Sequence, residues 1–281
     1  MLSYRHAFHA GNHADVLKHL VLIQVLNHLN QKDKPWWYVE THAGAGVYDL
    51  GSNYARKNSE HDTGIGRLWS RSDLPQAVAD YLAVVRGMNP DGHLRLYPGS
   101  PWIASRLMRP RDRLRLFELH PNDLDLLRRS FAEMSRQVRI EGADGFAGLK
   151  TVLPPPPRRG LTLIDPAYEV KTDYRQVIAA LKAGLERFAT GIYAVWYPML
   201  PRLEARELPD RLKRLPGLRW LHVGLSVRAP SPDGHGMHGS GLFLVNPPWP
   251  LAETLRAILP WLAKALAQDD KAAFVLEEQA G

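Results

Sequence analysis

The sequence predicts an α/β protein. We expect one domain, residues 1–281, built on a seven-stranded, mostly parallel sheet with an antiparallel last strand, plus an inserted helical subdomain. Three observations predict it. Short apolar segments at 36–40, 114–118, 138–141 and 161–164 alternate with stretches of helical periodicity, the pattern of strand–helix–strand units. The first of them runs into Thr41-His42-Ala43-Gly44-Ala45-Gly46, a Gly-x-Gly turn where missing side chains let a ligand approach the backbone. An acid then stands at or just past the end of each of the next three strands (Glu118, Asp144, Asp165), at the edge where open α/β sheets hold their ligands.

Composition sets the outer bounds. With 281 residues and 45% hydrophobic content, the chain can bury a full core. No cysteine is present, which excludes disulfides and thiolate metal sites and points to a reducing cytoplasm. The start reads as no signal peptide, and no apolar run approaches the roughly 18 residues of a membrane span. A formal charge of +7 favours a polyanionic partner such as nucleic acid.

In chain order, Ser3 to Gly11 carries many specialised side chains, and Tyr4, Arg5 and His6 suit polar contacts to nucleic acid. Asn12 is a plausible N-cap for a helix with Val16, Leu20, Ile23 and Leu26 or Leu29 on one face. Histidines at 6, 9, 13 and 19 suggest a metal at first sight, but no carboxylate is spaced to complete a usual triad, so no metal is expected. Lys34-Pro35 ends the helix ahead of the strand Trp36–Glu40. A dinucleotide fingerprint would need a third glycine at position 49, which is Asp49. Residues 51–97 begin turn-like and then show helical spacing, which reads as an insertion between the first strand and its crossover helix at 100–108, opened by Gly99-Ser100-Pro101. The strand ending in Glu118 is followed by a helix from Asp123, a strand at 138–141 and the turn Ala143-Asp144-Gly145. A stiff Pro154–Pro157 connector precedes the central strand. Helical spacing at 174–188 and 202–215 brackets a strand at 191–197. Strands at 220–227 and up to Val245 look like a hairpin around a glycine-rich loop at 229–241, and an amphipathic helix spans 251–267.

Asp165-Pro166-Ala167-Tyr168 carries the chemistry. An exocyclic base amine is a poor nucleophile because its lone pair is delocalised into the ring. The Asp165 carboxylate and the Pro166 carbonyl can each accept one N–H and turn that lone pair towards a methyl donor. Tyr168 offers a ring on which a base can stack. The segment resembles the [Asp/Asn]-Pro-Pro-[aromatic] signature of amino-methyltransferases, with Ala167 in place of the second proline. Asn246-Pro247-Pro248-Trp249 matches that pattern more closely, yet too little chain follows it for a permuted enzyme, and its expected role is a proline-ended edge strand capped by a tryptophan.

Met-Leu-Ser-Tyr-Arg-His at the start, Phe8 to His19, Thr41 to Gly46, Tyr97 to Pro101, Glu118 to Pro121, Ala143 to Phe146 and Asn246 to Trp249 together resemble the RlmJ family of bacterial ribosomal-RNA methyltransferases over nearly the whole chain. The resemblance implies a class I (Rossmann-like) methyltransferase fold with a helical insertion, and transfer of a methyl group from S-adenosyl-L-methionine to N6 of an adenine in 23S ribosomal RNA. It implies a cofactor pocket using His19, His42, Ser100, Glu118, Ala143 and Asp144 beside Gly44 and Gly46, with Asp165 both catalytic and at the cofactor, and Tyr4 on the RNA. A monomer without an obligatory protein partner is expected. The rival readings are a DNA adenine-N6 methyltransferase of the same fold and a basic RNA-binding protein with a vestigial pocket.

Overall fold

The computed structural model describes residues 5–233 and 236–279. Its centre is α1 (His13–Asn30). Asn12 caps it by accepting from the Ala14 and Asp15 amides at 2.9 and 3.0 Å. The spacing predicts one apolar face, but 14 of the 18 residues are buried, because the insertion, two further helices and the sheet pack around α1 from different sides.

Ten strands form among the described residues. Eight make one sheet, from β1 (Trp37–Glu40), β4 (Arg113–Phe117), β5 (Val138–Glu141), β6 (Gly160–Ile164), β7 (Ile192–Met199), β8 (Trp220–Ser226), β9 (Gly239–Val245) and β10 (Ala273–Gln279), in the order β10-β8-β9-β7-β6-β1-β4-β5. The run from β5 to β7 is parallel; β9 lies antiparallel to both β7 and β8, and β10 antiparallel to β8. The architecture is thus the expected mixed α/β one, with the β8–β9 hairpin in place and an eighth strand, β10, added on the outer edge. The remaining two, β2 (Val47–Asp49) and β3 (Leu96–Pro98), pair antiparallel and close the neck of the stretch predicted as an insertion. Between them lie α2 (Asn53–Asn58), α3 (Gly66–Trp69) and α4 (Gln76–Gly87).

Helices cover both faces of the sheet. With α1, helices α4, α5 (Ser100–Leu107), α6 (Pro121–Ser130) and α10 (Leu251–Leu266) supply one apolar cluster, in which Val16, Leu20, Leu127 and Leu259 meet Leu114, Leu116 and Leu161. On the other face α7 (Gly145–Val152), α8 (Thr172–Arg187) and α9 (Leu203–Lys213) bury Val39, Phe117, Ile164 and Phe243. Strand alternation divides the side chains between these two cores. No helix among the described residues is long and apolar enough to cross a membrane.

One expectation fails outright. The strand ending in Asn246 is not an edge strand, since β9 sits between β7 and β8, and Trp249 caps nothing, being 76% exposed.

Candidate active site

The parallel strands end at one edge of the sheet, and α1 lays its N-terminal half across that edge. Between them lies a cavity of about 490 Å³ whose walls include His6, His19, His42, Gly44, Ser100, Glu118, Asp165 and Pro166. Residues from β1, β4, β6, α1 and the neck of the insertion therefore meet in one place.

The Gly-x-Gly turn forms as the sequence suggests. Gly44 has φ +61°, and a Cβ there would stand 2.3 Å from the Tyr48 hydroxyl, so no other residue fits without displacement. The Gly44 amide donates to Glu118 Oε2 at 2.7 Å, and the His120 amide donates to Glu118 Oε1 at 2.7 Å. These bonds fix the Glu118 carboxylate at the cavity wall; burial raises its pKa. Gly46, at φ +79°, faces Leu127 and Phe131 and shapes the turn without lining the cavity.

His42 lines the cavity with its Nδ1 2.8 Å from the Thr41 hydroxyl and its ring edge-on to Phe146, and burial lowers its pKa to about 4. His19 stacks on Tyr97 and bonds its hydroxyl through Nδ1 at 2.9 Å. Its Nε2 is buried without a hydrogen-bond partner among the described residues, and burial lowers its pKa to about 3. A neutral imidazole with one unsatisfied nitrogen on a cavity wall is a ready contact for a polar ligand.

Ser100 reaches the cavity, but its hydroxyl donates to Glu40, a fully buried acid that also accepts from the Tyr38 hydroxyl at 2.9 Å. Burial pushes the Glu40 carboxyl up to about 8 even with those two bonds. Glu40 stands behind Ser100 and not on the cavity wall, and the sequence reading did not single it out, although an acid closing the first strand ahead of Gly-x-Gly was a usable signal.

Asp165 ends β6 at the cavity, as predicted. Its Oδ2 accepts from Lys18 Nζ at 2.8 Å, and Lys18 also pairs with Asp15 Oδ1 at 3.0 Å. Asp15 Oδ2 in turn meets His6 Nε2 at 2.8 Å and the Gly11 amide at 2.9 Å. Burial works against the charges of both Lys18 and Asp15. Even so, Asp165 and Asp15 hold the Lys18 ammonium well above its ordinary pKa, and His6 and Lys18 hold Asp15 well below its own. Lys18 and Asp15 were not singled out from the sequence. Their i, i+3 spacing was visible, but nothing in the chain tells that Lys18 reaches across 147 residues to Asp165.

Several expected residues stand elsewhere. Tyr168 does not face the cavity. Its ring is 1% exposed, packs on Tyr174 and Trp196, and its hydroxyl donates to the Trp196 carbonyl at 2.6 Å. With φ +53°, the backbone at Tyr168 turns the side chain into the core. Trp196 and Tyr48 do line the cavity, with Lys18 Nζ 5.6 Å from the Trp196 ring centre. Asp144 lies at the tip of β5, exposed, and caps α7 through the Phe146 amide at 2.9 Å; neither it nor Ala143 lines the cavity. Arg5 bonds the Tyr54 hydroxyl of the insertion at 3.2 Å, outside the cavity, whereas His6 lines it. Tyr4 lies outside the described residues. Gly236 and Met237 from the glycine-rich loop, and Arg228 just ahead of it, reach the wall.

Asn246-Pro247-Pro248-Trp249 is at the far edge. Val245 pairs with Tyr193 near the start of β7, so β9, running antiparallel, delivers the second motif to the opposite end of the sheet. There Asn246 Nδ2 donates to the Ala189 and Gly191 carbonyls at 2.8 Å each.

The chain is 50% identical over 266 residues to an Escherichia coli protein named Ribosomal RNA large subunit methyltransferase J, covering 95% of this chain and 94% of that one. It is 45% identical over 278 residues to a Haemophilus influenzae protein of the same name, covering 99% and 98%. A Legionella pneumophila protein of known crystal structure superposes with a TM-score of 0.88 at 34% identity, covering 96% of this chain and 98% of that one. The family described as Ribosomal RNA large subunit methyltransferase D, RlmJ, matches residues 33–276, and with relatives this similar over almost their whole length the chain belongs to that family.

Proposed function

We propose that this protein methylates the N6 amino group of an adenine in 23S ribosomal RNA, with S-adenosyl-L-methionine as donor. The observation that carries the reading is that Asp165 and Pro166 share one cavity with Gly44, His19 and Glu118. A group accepting the amine protons and the groups suited to a nucleoside cofactor thus face the same space.

The residues present fit that cofactor. Glu118, anchored by two amides, has carboxylate lone pairs left for ribose hydroxyls, and Gly44 leaves room for close approach. His19 and His42 stand beside them with neutral rings. When bound, the cofactor supplies a methyl group on a positively charged sulfur.

The chain's own part is orientation. The target adenine must leave its stack to reach a walled cavity. The Pro166 carbonyl and the Asp165 carboxylate accept its two N–H bonds, and Lys18 on Oδ2 holds the carboxylate in place while Oδ1 has no hydrogen-bond partner among the described residues. Trp196, rather than Tyr168, provides the aromatic wall in this arrangement. The amine proton leaves late, to Asp165 or water. All these groups come from one chain, so a monomer suffices, and a ribosomal RNA substrate places the work in the cytoplasm.

Incubating the purified protein with isotopically labelled S-adenosyl-L-methionine and either unmodified 23S ribosomal RNA or duplex DNA tests the reading, with the product located by mass spectrometry. N6-methyladenine in the RNA is expected. Transfer to DNA alone would favour the rival enzyme, and absence of cofactor binding would favour a vestigial pocket.

A further inference from the structure

Away from the cavity, one part of the sheet breaks the rule that faces bury apolar side chains. On the face that carries Val39 and Phe117, the positions nearer the strand starts are Trp37, Arg113 and Arg115, with Arg139 next to them on β5. Helix α7 packs over the upper part, where Gly148 presses on Phe117. Below it Trp37, Arg113 and Arg115 are half-buried and Arg139 is exposed.

Arg115 and Arg139 are direct register partners on adjacent parallel strands. Like charges placed side by side on one sheet face destabilise it. Burial and the Arg139 charge both lower the Arg115 pKa, the sign of that repulsion. The local counter-charge is slight: Glu141 meets Arg139 Nε at 3.3 Å, no hydrogen bond to the Arg115 guanidinium forms among the described residues, and Arg113 Nη1 donates to the Pro110 and Asp112 carbonyls at 2.9 and 2.7 Å, leaving its other nitrogens for outward contacts. What holds Arg115 is the Trp37 ring, 4.5 Å from its guanidinium carbon. A guanidinium held against a ring by its face keeps its N–H donors free in its own plane, the geometry that suits a phosphate.

We propose that Trp37, Arg113, Arg115 and Arg139 form a second RNA-docking surface, which grips the substrate's sugar-phosphate backbone away from the target adenine. The inference rests on the reading of RNA as substrate. Arg115, Val39 and Thr162 are aligned across β4, β1 and β6. Asp165 is therefore about 10 Å along and about 10 Å across the sheet from Arg115. An RNA covering the catalytic edge and turning over the β5 side of the sheet spans that separation within a few nucleotides. The surface gives a costly arginine pair a use and the net charge of +7 a place to act.

The test is the double variant Arg115→Gln/Arg139→Gln, assayed on full-length 23S ribosomal RNA and on a short hairpin holding only the methylated region. For the long RNA, KM is expected to rise several-fold with kcat unchanged. The slope of log KM against log salt should flatten by roughly 1 to 2, since each lost phosphate contact removes a little under one released counterion. The short hairpin should be turned over as by wild type. Arg115→Lys/Arg139→Lys should keep most of the salt slope. An unchanged KM and slope on long RNA, or an equal loss on both substrates, overturns the proposal, the first outcome leaving a protein partner or a purely structural role. If the double variant does not fold, Arg139→Glu at the exposed position replaces it, with the same two results decisive. Should wild type methylate no RNA, the proposed function fails by itself. Filter binding of 23S ribosomal RNA by wild type and variant then decides the docking surface separately.

Discussion

In the proposed mechanism the reaction turns on Asp165. Asp165→Ala removes an acceptor that acts on the reacting nitrogen, and loss of such a preorganised group costs about 100-fold or more in turnover. Cofactor affinity, which the proposed reading rests mostly on Glu118 and Gly44, should change far less in a calorimetric titration. Retention of more than about a tenth of wild-type turnover would contradict the assigned role. Lys18 sits between the buried Asp15 carboxylate and the half-buried Asp165 carboxylate, so Lys18→Met strands both of them. Removing one partner of a buried ion pair destabilises by roughly 3 to 5 kcal/mol, and denaturant unfolding should show a loss of that order. Ala167 departs from the amino-methyltransferase signature, yet both proposed acceptors precede it. Its amide makes no backbone hydrogen bond among the described residues. Ala167→Pro should therefore fold, keep or modestly raise turnover and gain up to about 1 kcal/mol. An insoluble Ala167→Pro protein would show that the native backbone there is one proline cannot adopt.

Two elements decide how the site is assembled. The N-terminus of α1 carries Asp15, Lys18 and His19, and Asn12 fastens it twice. Its Oδ1 accepts from two amides, and its Nδ2 donates to Glu60 of the insertion at 2.9 Å. Asn12→Ala should cost about 1 to 2 kcal/mol and loosen the insertion against the helix, which hydrogen exchange at residues 59–64 would register as faster opening. The other element is β9. Because it ends at the edge away from the cavity, Asn246→Ala should leave turnover within a few-fold. Trp249→Ala should change stability by less than about 0.5 kcal/mol, since most of its ring is in water. Lost turnover in a folded Asn246→Ala protein would return the second motif to consideration as the catalytic one.

At the scale of the whole molecule, burial of ionisable groups around α1 and β1 sets the pH dependence of stability. His13 and His42 titrate near 4 and His19 near 3 when folded, all through burial, against an ordinary 6.5. Between those values and 6.5 the unfolded chain binds more protons, so stability falls as pH drops below about 6.5. Glu40 has the opposite sign. Folded, it keeps its proton to about 8, whereas unfolded it loses it near 4.5, so its contribution is lost as pH rises through that interval. Glu118, also raised by burial, acts in the same direction. On the acid side the lowered imidazoles, to which His28, His222 and His238 add, outweigh the raised carboxyls, and above 6.5 the Glu40 contribution remains. Urea midpoints at pH 5, 6.5 and 8 should therefore be highest at 6.5, and Glu40→Gln should flatten the alkaline limb. A midpoint still rising from 6.5 to 8 would mean that Glu40 is ionised in the fold.

The sequence by itself determined the order of the seven expected strands and the helices between them, the Gly-x-Gly turn, and the acids at the tips of β4, β5 and β6. These are local matters: apolar periodicity, chain punctuation, and a strand too short to hide its last residue. It also carried the family likeness, because whole segments such as Phe8 to His19 are distinctive as strings. Only the tertiary structure decided what those groups face. It turned Tyr168 inward, because the sign of φ at one residue chooses between core and cavity and propensity does not state it. It left Asp144 as a helix cap, brought Lys18 to Asp165, and hid Glu40 under Ser100 and Tyr38. It also chose between the two motifs. Asp165 and Asn246 both end apolar strands, and in the linear chain they look alike, but β6 runs parallel to β1 and β9 runs antiparallel to β7. Strand direction relative to neighbours is a property of pairing, not of the segment, so one motif arrives at the cavity and the other at the opposite edge.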